Sequence, residues 1–208
     1  MRLIKPKYNS LKDEELMAEV IKGNQAAFSE LYDKWSKPIL NYFYKMLWQD
    51  LEKSQDFMQD LFTKIIHKPQ LFNVNKSFKT WIYTIAYNMC KNEYRKNETR
   101  KNINNNLNEN IVKLDQGNHD KTYDNNIFNE RLNQELELLS NNHKKVFIMR
   151  MKHNLSIKEI AEIMETSEGT VKSRIFYTLK KLSVSLKEFN PVNTLAYILL
   201  INEILITI

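Results

Sequence analysis

Residues Ser156–Leu182 read SIKEIAEIMETSEGTVKSRIFYTLKKL, and their spacing predicts two short amphipathic helices joined by a tight turn. Ser156 is placed to cap the first helix and Glu159 to close a capping box, while Ile157, Ile160, Ala161 and Met164 repeat on one side. The second helix is expected from about Ser167, with Val171, Ile175, Leu179 and Leu182 as its buried stripe. Thr170, Lys172, Ser173, Arg174 and Lys181 are left largely outside that stripe, and Tyr177 lies on the same helix. A surface of hydroxyls and cations can meet phosphates and base edges together, which is the pattern of a helix-turn-helix DNA reader. The alternative is an ordinary helical hairpin with solvated lysines. Capping, turn and charge occurring together favour the reader.

The remainder of the chain is consistent with a nucleic-acid partner. Its 208 residues contain only three glycines, Gly23, Gly117 and Gly169. Glycine-rich phosphate loops and tight β-hairpins therefore lack raw material, and an all-α fold is expected. A net charge of +6 and a pI near 9.2 favour a polyanionic partner. The single cysteine, Cys90, excludes an internal disulfide and fits a reducing cytoplasm. The N-terminal stretch MRLIKPKYNSLKDEEL lacks the apolar core of a signal peptide.

Periodicity divides the chain into two small helical domains joined by a flexible linker, the second containing the helix-turn-helix. Residues 1–96 hold helical patterns at Leu16, Val20 and Ile21, then at Phe28, Leu31, Tyr32 and Trp35. Pro38 is expected to open a further helix, Ile39–Leu47, followed by helices over Glu52–His67 and Lys79 to about Lys96. Residues 97–126 carry ten asparagines and few apolar side chains, a composition that cannot form its own core. Periodicity resumes at Ile127 and defines a second domain over 127–190. The tail over 191–208 contains the apolar run LAYILLINEILITI, only fourteen residues long and interrupted by Asn202 and Glu203. It is too short for a confident membrane span, and its role is left open between packing on the second domain and contact with a partner or membrane.

Two faces of the first domain stand out. Within KSQDFMQDLFTKII, residues 53–66, the helical wheel groups Asp56, Gln59, Asp60 and Thr63. This acidic side is either simply solvated or a dock for a basic protein partner. Within SFKTWIYTIAYNMCKNEYRK, residues 77–96, Ile82, Ile85, Ala86 and Met89 turn inward and Thr84, Tyr87, Asn88, Lys91 and Arg95 outward. Rings, amides and cations on one face suit single-stranded nucleic acid: rings stack on bases, amides read their edges and cations hold phosphates.

With these residues quoted, the chain resembles the extracytoplasmic-function class of bacterial RNA polymerase sigma factors, from about Leu11 to Leu186. SQDFMQDLFTKII is similar to that family's DAEDLVQEVFLKLW-type helix, the 77–96 stretch to its FxxWLxxIAxNxxxDxxR-type helix, and EIAEIMETSEGTVKSRI, residues 159–175, to its EIAEILGISEGTVKSRL-type segment. The resemblance implies a first domain that docks on core RNA polymerase through Asp56, Gln59 and Asp60. It implies that Asn88 and Asn92 meet the melted minus-ten strand near a flipped-base pocket formed with the loop Pro69–Ser77. Lys91, Arg95, Trp81 and Tyr83 are further candidates for that strand, and Trp81 fits a core position equally well. The second domain would read the minus-thirty-five duplex with Thr170, Lys172, Ser173 and Arg174, joined by Tyr177 and Lys181. Whether Arg174 reads a base or a phosphate stays open. Where relatives carry a basic pair after Arg174-Ile175, this chain has Phe176, Tyr177 and Thr178, so its promoter preference can differ.

The expected function is therefore a non-enzymatic, cytoplasmic initiation factor that binds core RNA polymerase and promoter DNA, with an anti-sigma partner left open. No cofactor, metal or small-molecule substrate is expected. A stand-alone helix-turn-helix regulator is the alternative, and it predicts tight duplex binding without polymerase. An enzyme is disfavoured because His67, His119, His143 and His153 are scattered and Asp56 with Asp60 lacks a third ligand.

Overall fold

The computed structural model describes Tyr8, residues 10–105 and residues 123–186. Among the described residues it contains eight α-helices and no strand. The chain divides into two compact units.

In the first unit, α1 (Asp13–Ile21) opens with Asp13, Glu14 and Glu15 in its first turn, where carboxylates complement the helix dipole. Gly23, at φ +88°, makes the turn that other residues resist. Asn24 then caps α2 (Gln25–Met46), its side chain accepting from the Ala26 and Ala27 amides. The expected break at Pro38 does not occur: α2 is one helix of 22 residues with Pro38 inside it. Proline forfeits one backbone hydrogen bond to the preceding turn, but Trp35, Ile39, Tyr42 and Phe43 are buried on both sides of it. Their packing holds the two halves in line.

A turn at Trp48 and Gln49, both at positive φ, leads to α3 (Leu51–His67), capped by the Asp50 carboxylate on the Lys53 amide. A single 3-10 turn follows at Pro69–Leu71. Next comes α4 (Phe78–Asn105), whose first amides are satisfied by Ser77 Oγ and by Glu14 Oε1 from α1. The core is aromatic: Tyr83 stands edge-on to Trp35 at 6.2 Å and to Tyr42 at 5.4 Å. Lys53 Nζ bridges α3 to α4 through Glu93 Oε1 at 2.6 Å, and Trp48 packs on Tyr94 at 5.1 Å.

Helix α4 continues to Asn105, into the stretch expected to be linker from position 97. Polarity removes a core but does not end a helix, and no glycine or proline intervenes before Gly117. Residues 106–122, the middle of the expected linker, and 187–208, with the apolar tail, lie outside the described residues, and the last four residues of that expected linker, 123–126, belong to a helix, Tyr123–Glu137.

The second unit comprises α5 (Tyr123–Glu137), α6 (Asn141–His153), α7 (Ile157–Ile163) and α8 (Glu168–Ser185). The predicted capping box is present: Glu159 accepts from the Ser156 amide at 2.7 Å and Ser156 Oγ from the Glu159 amide at 3.1 Å. Ser167 Oγ caps α8 by accepting from the Thr170 amide at 3.1 Å. The turn between α7 and α8 places Glu165 at φ +51°, a left-handed conformation that costs an ordinary residue about 1–2 kcal/mol. Val171, Ile175, Leu179 and Leu182 form the buried stripe of α8, joined by Thr178.

Candidate nucleic-acid interface

The acidic stripe of α3 is built as the wheel predicts. Asp56, Gln59, Asp60 and Thr63 are all exposed, and Glu52 extends the stripe one turn toward the N-terminus. Neither Asp56, Asp60 nor Glu52 is held in an ion pair among the described residues, so all three charges are available to a partner. Ile66, 46% exposed, adds an apolar neighbour one heptad beyond Gln59. The sequence pattern missed it because Ile65 beside it fills the core position.

On α4, Asn88, Lys91, Asn92 and Arg95 are exposed and fall on one side of the helix. They span about two turns, or roughly 10 Å. Trp81 shares that side two turns earlier and is half-buried, its ring 5.0 Å from Phe72 and 5.9 Å from Phe78. It forms a partly exposed aromatic wall at the mouth of the loop over 69–77. In that loop Phe72 is buried, whereas Leu71 and Val74 are 67% and 44% exposed. Toward the C-terminus the face borders an open concavity of about 540 Å³ lined by Asn92, Arg95, Lys96, Thr99 and Arg100. Arg100 was not foreseen, because the linker was expected to begin at 97, and Lys96 closes the quoted 77–96 stretch without having been singled out.

Two expected members of this face are corrected. Tyr83 is only 2% exposed, since five residues before Asn88 is the opposite side of an α-helix. Burial raises its phenol well above the usual value, and its ring belongs to the core. Tyr87 is buried as well, at 7% exposure, and Thr84 is half-buried with its hydroxyl donating to the Thr80 carbonyl at 2.8 Å.

On α8, Ser173 and Tyr177 stand outermost, opposite the buried stripe, and Thr170 and Arg174 flank them on one side. Thr170 Oγ1 lies 2.9 Å from Ser167 Oγ, which orients it at the helix start. Lys172 falls on the other flank, half-buried. Lys181 is set apart from this cluster: it lies three turns beyond Thr170, and its ammonium donates to the Leu138 carbonyl at 3.1 Å. That bond ties α8 to the turn after α5. Lys181 is exposed, outside the buried stripe, and its neighbour Lys180 is exposed as well. Exposed carboxylates thus line one stripe of α3, with Lys64 one turn beyond Asp60, whereas the outer faces of α4 and α8 carry cations beside amides or hydroxyls.

Among the described residues, no group of three His, Cys, Asp or Glu side chains could hold a metal ion, and no helix is long and apolar enough to cross a membrane.

The model of Sigma-70 region 2 matches residues 31–100, and that of Sigma-70, region 4 matches residues 129–182. The chain is 30% identical over 162 residues to the RNA polymerase sigma factor YlaC of Bacillus subtilis, covering 78% of this chain and 91% of that protein. It is also 30% identical over 174 residues to the ECF RNA polymerase sigma-E factor of Haemophilus influenzae, covering 80% and 90%. Its fold is that of CnrH, solved in complex with the cytosolic domain of CnrY, with a TM-score of 0.63 at 21% identity over 86% of this chain and 99% of that one. Matched over both helical units and across most of its length, this chain belongs to the RNA polymerase sigma factors, of the extracytoplasmic-function type.

Proposed function

We propose that the three faces divide the work of promoter recognition among themselves. The acidic stripe of α3, with Asp56, Gln59 and Asp60, docks on core RNA polymerase. The outer face of α4 holds the melted minus-ten strand through Asn88, Lys91, Asn92 and Arg95, with Trp81 as a stacking wall. The outer face of α8 reads the minus-thirty-five duplex through Thr170, Ser173, Arg174 and Tyr177. The observation that carries this reading is the contrast between faces, with unpaired carboxylates on the stripe of α3 and cations beside amides or hydroxyls on the outer faces of α4 and α8.

The energetics are compatible with a non-enzymatic factor acting in the cytoplasm. Stacking contributes about 1–3 kcal/mol per base, comparable to the cost of unpairing one, so a few contacts on α4 suffice to hold a strand open. Two weak DNA contacts reinforce each other when one chain and its polymerase hold both units. An anti-sigma partner belongs to this reading, since the sigma factor RpoE of Bartonella quintana, of the same fold, was solved with the anti-sigma factor NepR.

Transcription in vitro with purified core RNA polymerase and a promoter library tests the proposal. Initiation from a subset of templates only when the protein is present is the expected result. No initiation, together with tight duplex binding by the protein alone, would overturn it in favour of a stand-alone regulator.

A further inference from the structure

Among residues whose side chains are described, Tyr177 is the one aromatic that is exposed, at 58%. It stands on the outermost line of α8, one turn beyond Ser173 and beside Arg174. The Phe176 ring meets it edge-on at 5.5 Å and 75°, which limits where the tyrosine ring can swing. Nothing in the fold of the second unit requires an aromatic there, because the core line of α8 is already filled by Val171, Ile175, Thr178, Leu179 and Leu182.

A neutral ring on a DNA-facing helix has a narrow set of partners. It cannot neutralise a phosphate, and its one hydroxyl cannot form the bidentate pairs that select guanine or adenine. The apolar group that a major groove offers is the C5-methyl of thymine. A ring in contact with that methyl removes both surfaces from water. We propose that Tyr177 is a specificity-determining residue that selects thymine, through its 5-methyl group, in the duplex element read by α8. This rests on the proposed function above and specifies the chemistry of its minus-thirty-five contact. A tyrosine hydroxyl donating to a phosphate is the competing use of the same side chain, and the two differ in what removal of the hydroxyl does.

The test uses the full chain with core RNA polymerase and the promoters it selects from a library. Each thymine of the upstream element is replaced in turn by deoxyuridine, which removes only the methyl, and promoter-complex affinity is measured. One position is expected to lose about four-fold, the ratio that corresponds to roughly 0.8 kcal/mol for one buried carbon. That penalty should persist in Tyr177→Phe and vanish in Tyr177→Ala. A uracil penalty at no position, or one unchanged in Tyr177→Ala, overturns the inference while leaving the sigma-factor reading standing. Equal loss of affinity in Tyr177→Phe and Tyr177→Ala, independent of the base, assigns the hydroxyl to a phosphate and also overturns it. Selection of no promoter at all would defeat the underlying reading and the inference with it.

Discussion

Replacing Tyr83 separates a core residue from a strand-binding one. The side chain is 2% exposed and meets Trp35 and Tyr42 edge-on, so Tyr83→Ala removes a full aromatic volume from between α2 and α4. Buried aromatic-to-alanine changes cost about 3–5 kcal/mol, against a total stability of about 5–15 kcal/mol for a domain. At roughly 4–8 °C per kcal/mol for a unit of this size, the first unit should melt at least about 12 °C lower. Chemical unfolding followed by tryptophan fluorescence measures the loss, since Trp35 lies against the altered site. Asn88→Ala is the companion variant. On an exposed position it should change stability by no more than about 0.5 kcal/mol while reducing promoter opening. Tyr83→Ala with unchanged stability and reduced strand binding would refute the argument, because it would place the tyrosine on the DNA side of α4.

Three further outcomes follow from the same structure. Asp60→Lys reverses an exposed, unpaired charge on α3 and should weaken binding of core RNA polymerase at least several-fold with helicity unchanged; a drop in helicity by circular dichroism would instead make the acidic stripe structural. Glu165→Gly should stabilise the second unit by about 0.5–1 kcal/mol, because the left-handed conformation at φ +51° costs glutamate about 1–2 kcal/mol and glycine's own entropy returns part of that; a lower melting temperature would contradict it. Lys53→Met leaves the Glu93 carboxylate, 8% exposed, without its partner and should cost about 1–3 kcal/mol, most of it recovered by adding Glu93→Gln; no recovery in the double variant, by denaturant unfolding, would mean the pair is not what joins α3 to α4.

The legible parts of the chain were those written in local periodicity and capping. The capping box at Ser156 and Glu159, the cap at Ser167 and the stripe of α8 depend on residues within a turn of one another, and sequence spacing encodes them directly. Pro38 was misread as a helix start because local rules weigh its missing amide and not the burial of Trp35, Ile39 and Tyr42 around it. Tyr83 and Tyr87 were misread because a tyrosine suits a core and a strand-binding face alike; helical spacing already sets Tyr83 opposite Asn88, whereas the burial of Tyr87 appears only in the folded unit. The bond that engages the Lys181 ammonium with the Leu138 carbonyl joins two elements 43 residues apart, and no spacing rule contains it. Glu165 did leave a trace: it stands where the similar family segment carries glycine, as a turn at positive φ requires.

The claim at the centre of this account is that the outer face of α4 holds one DNA strand open while α8 grips the duplex upstream. Permanganate footprinting of unpaired thymines, on a promoter bound by core RNA polymerase and this protein, measures the opening itself. The account predicts reactive thymines in the minus-ten element with the unaltered chain. With Asn88→Ala and Asn92→Ala combined, it predicts their loss while upstream protection by α8 remains. Undiminished reactivity in the double variant, or protection and opening lost together, would contradict it.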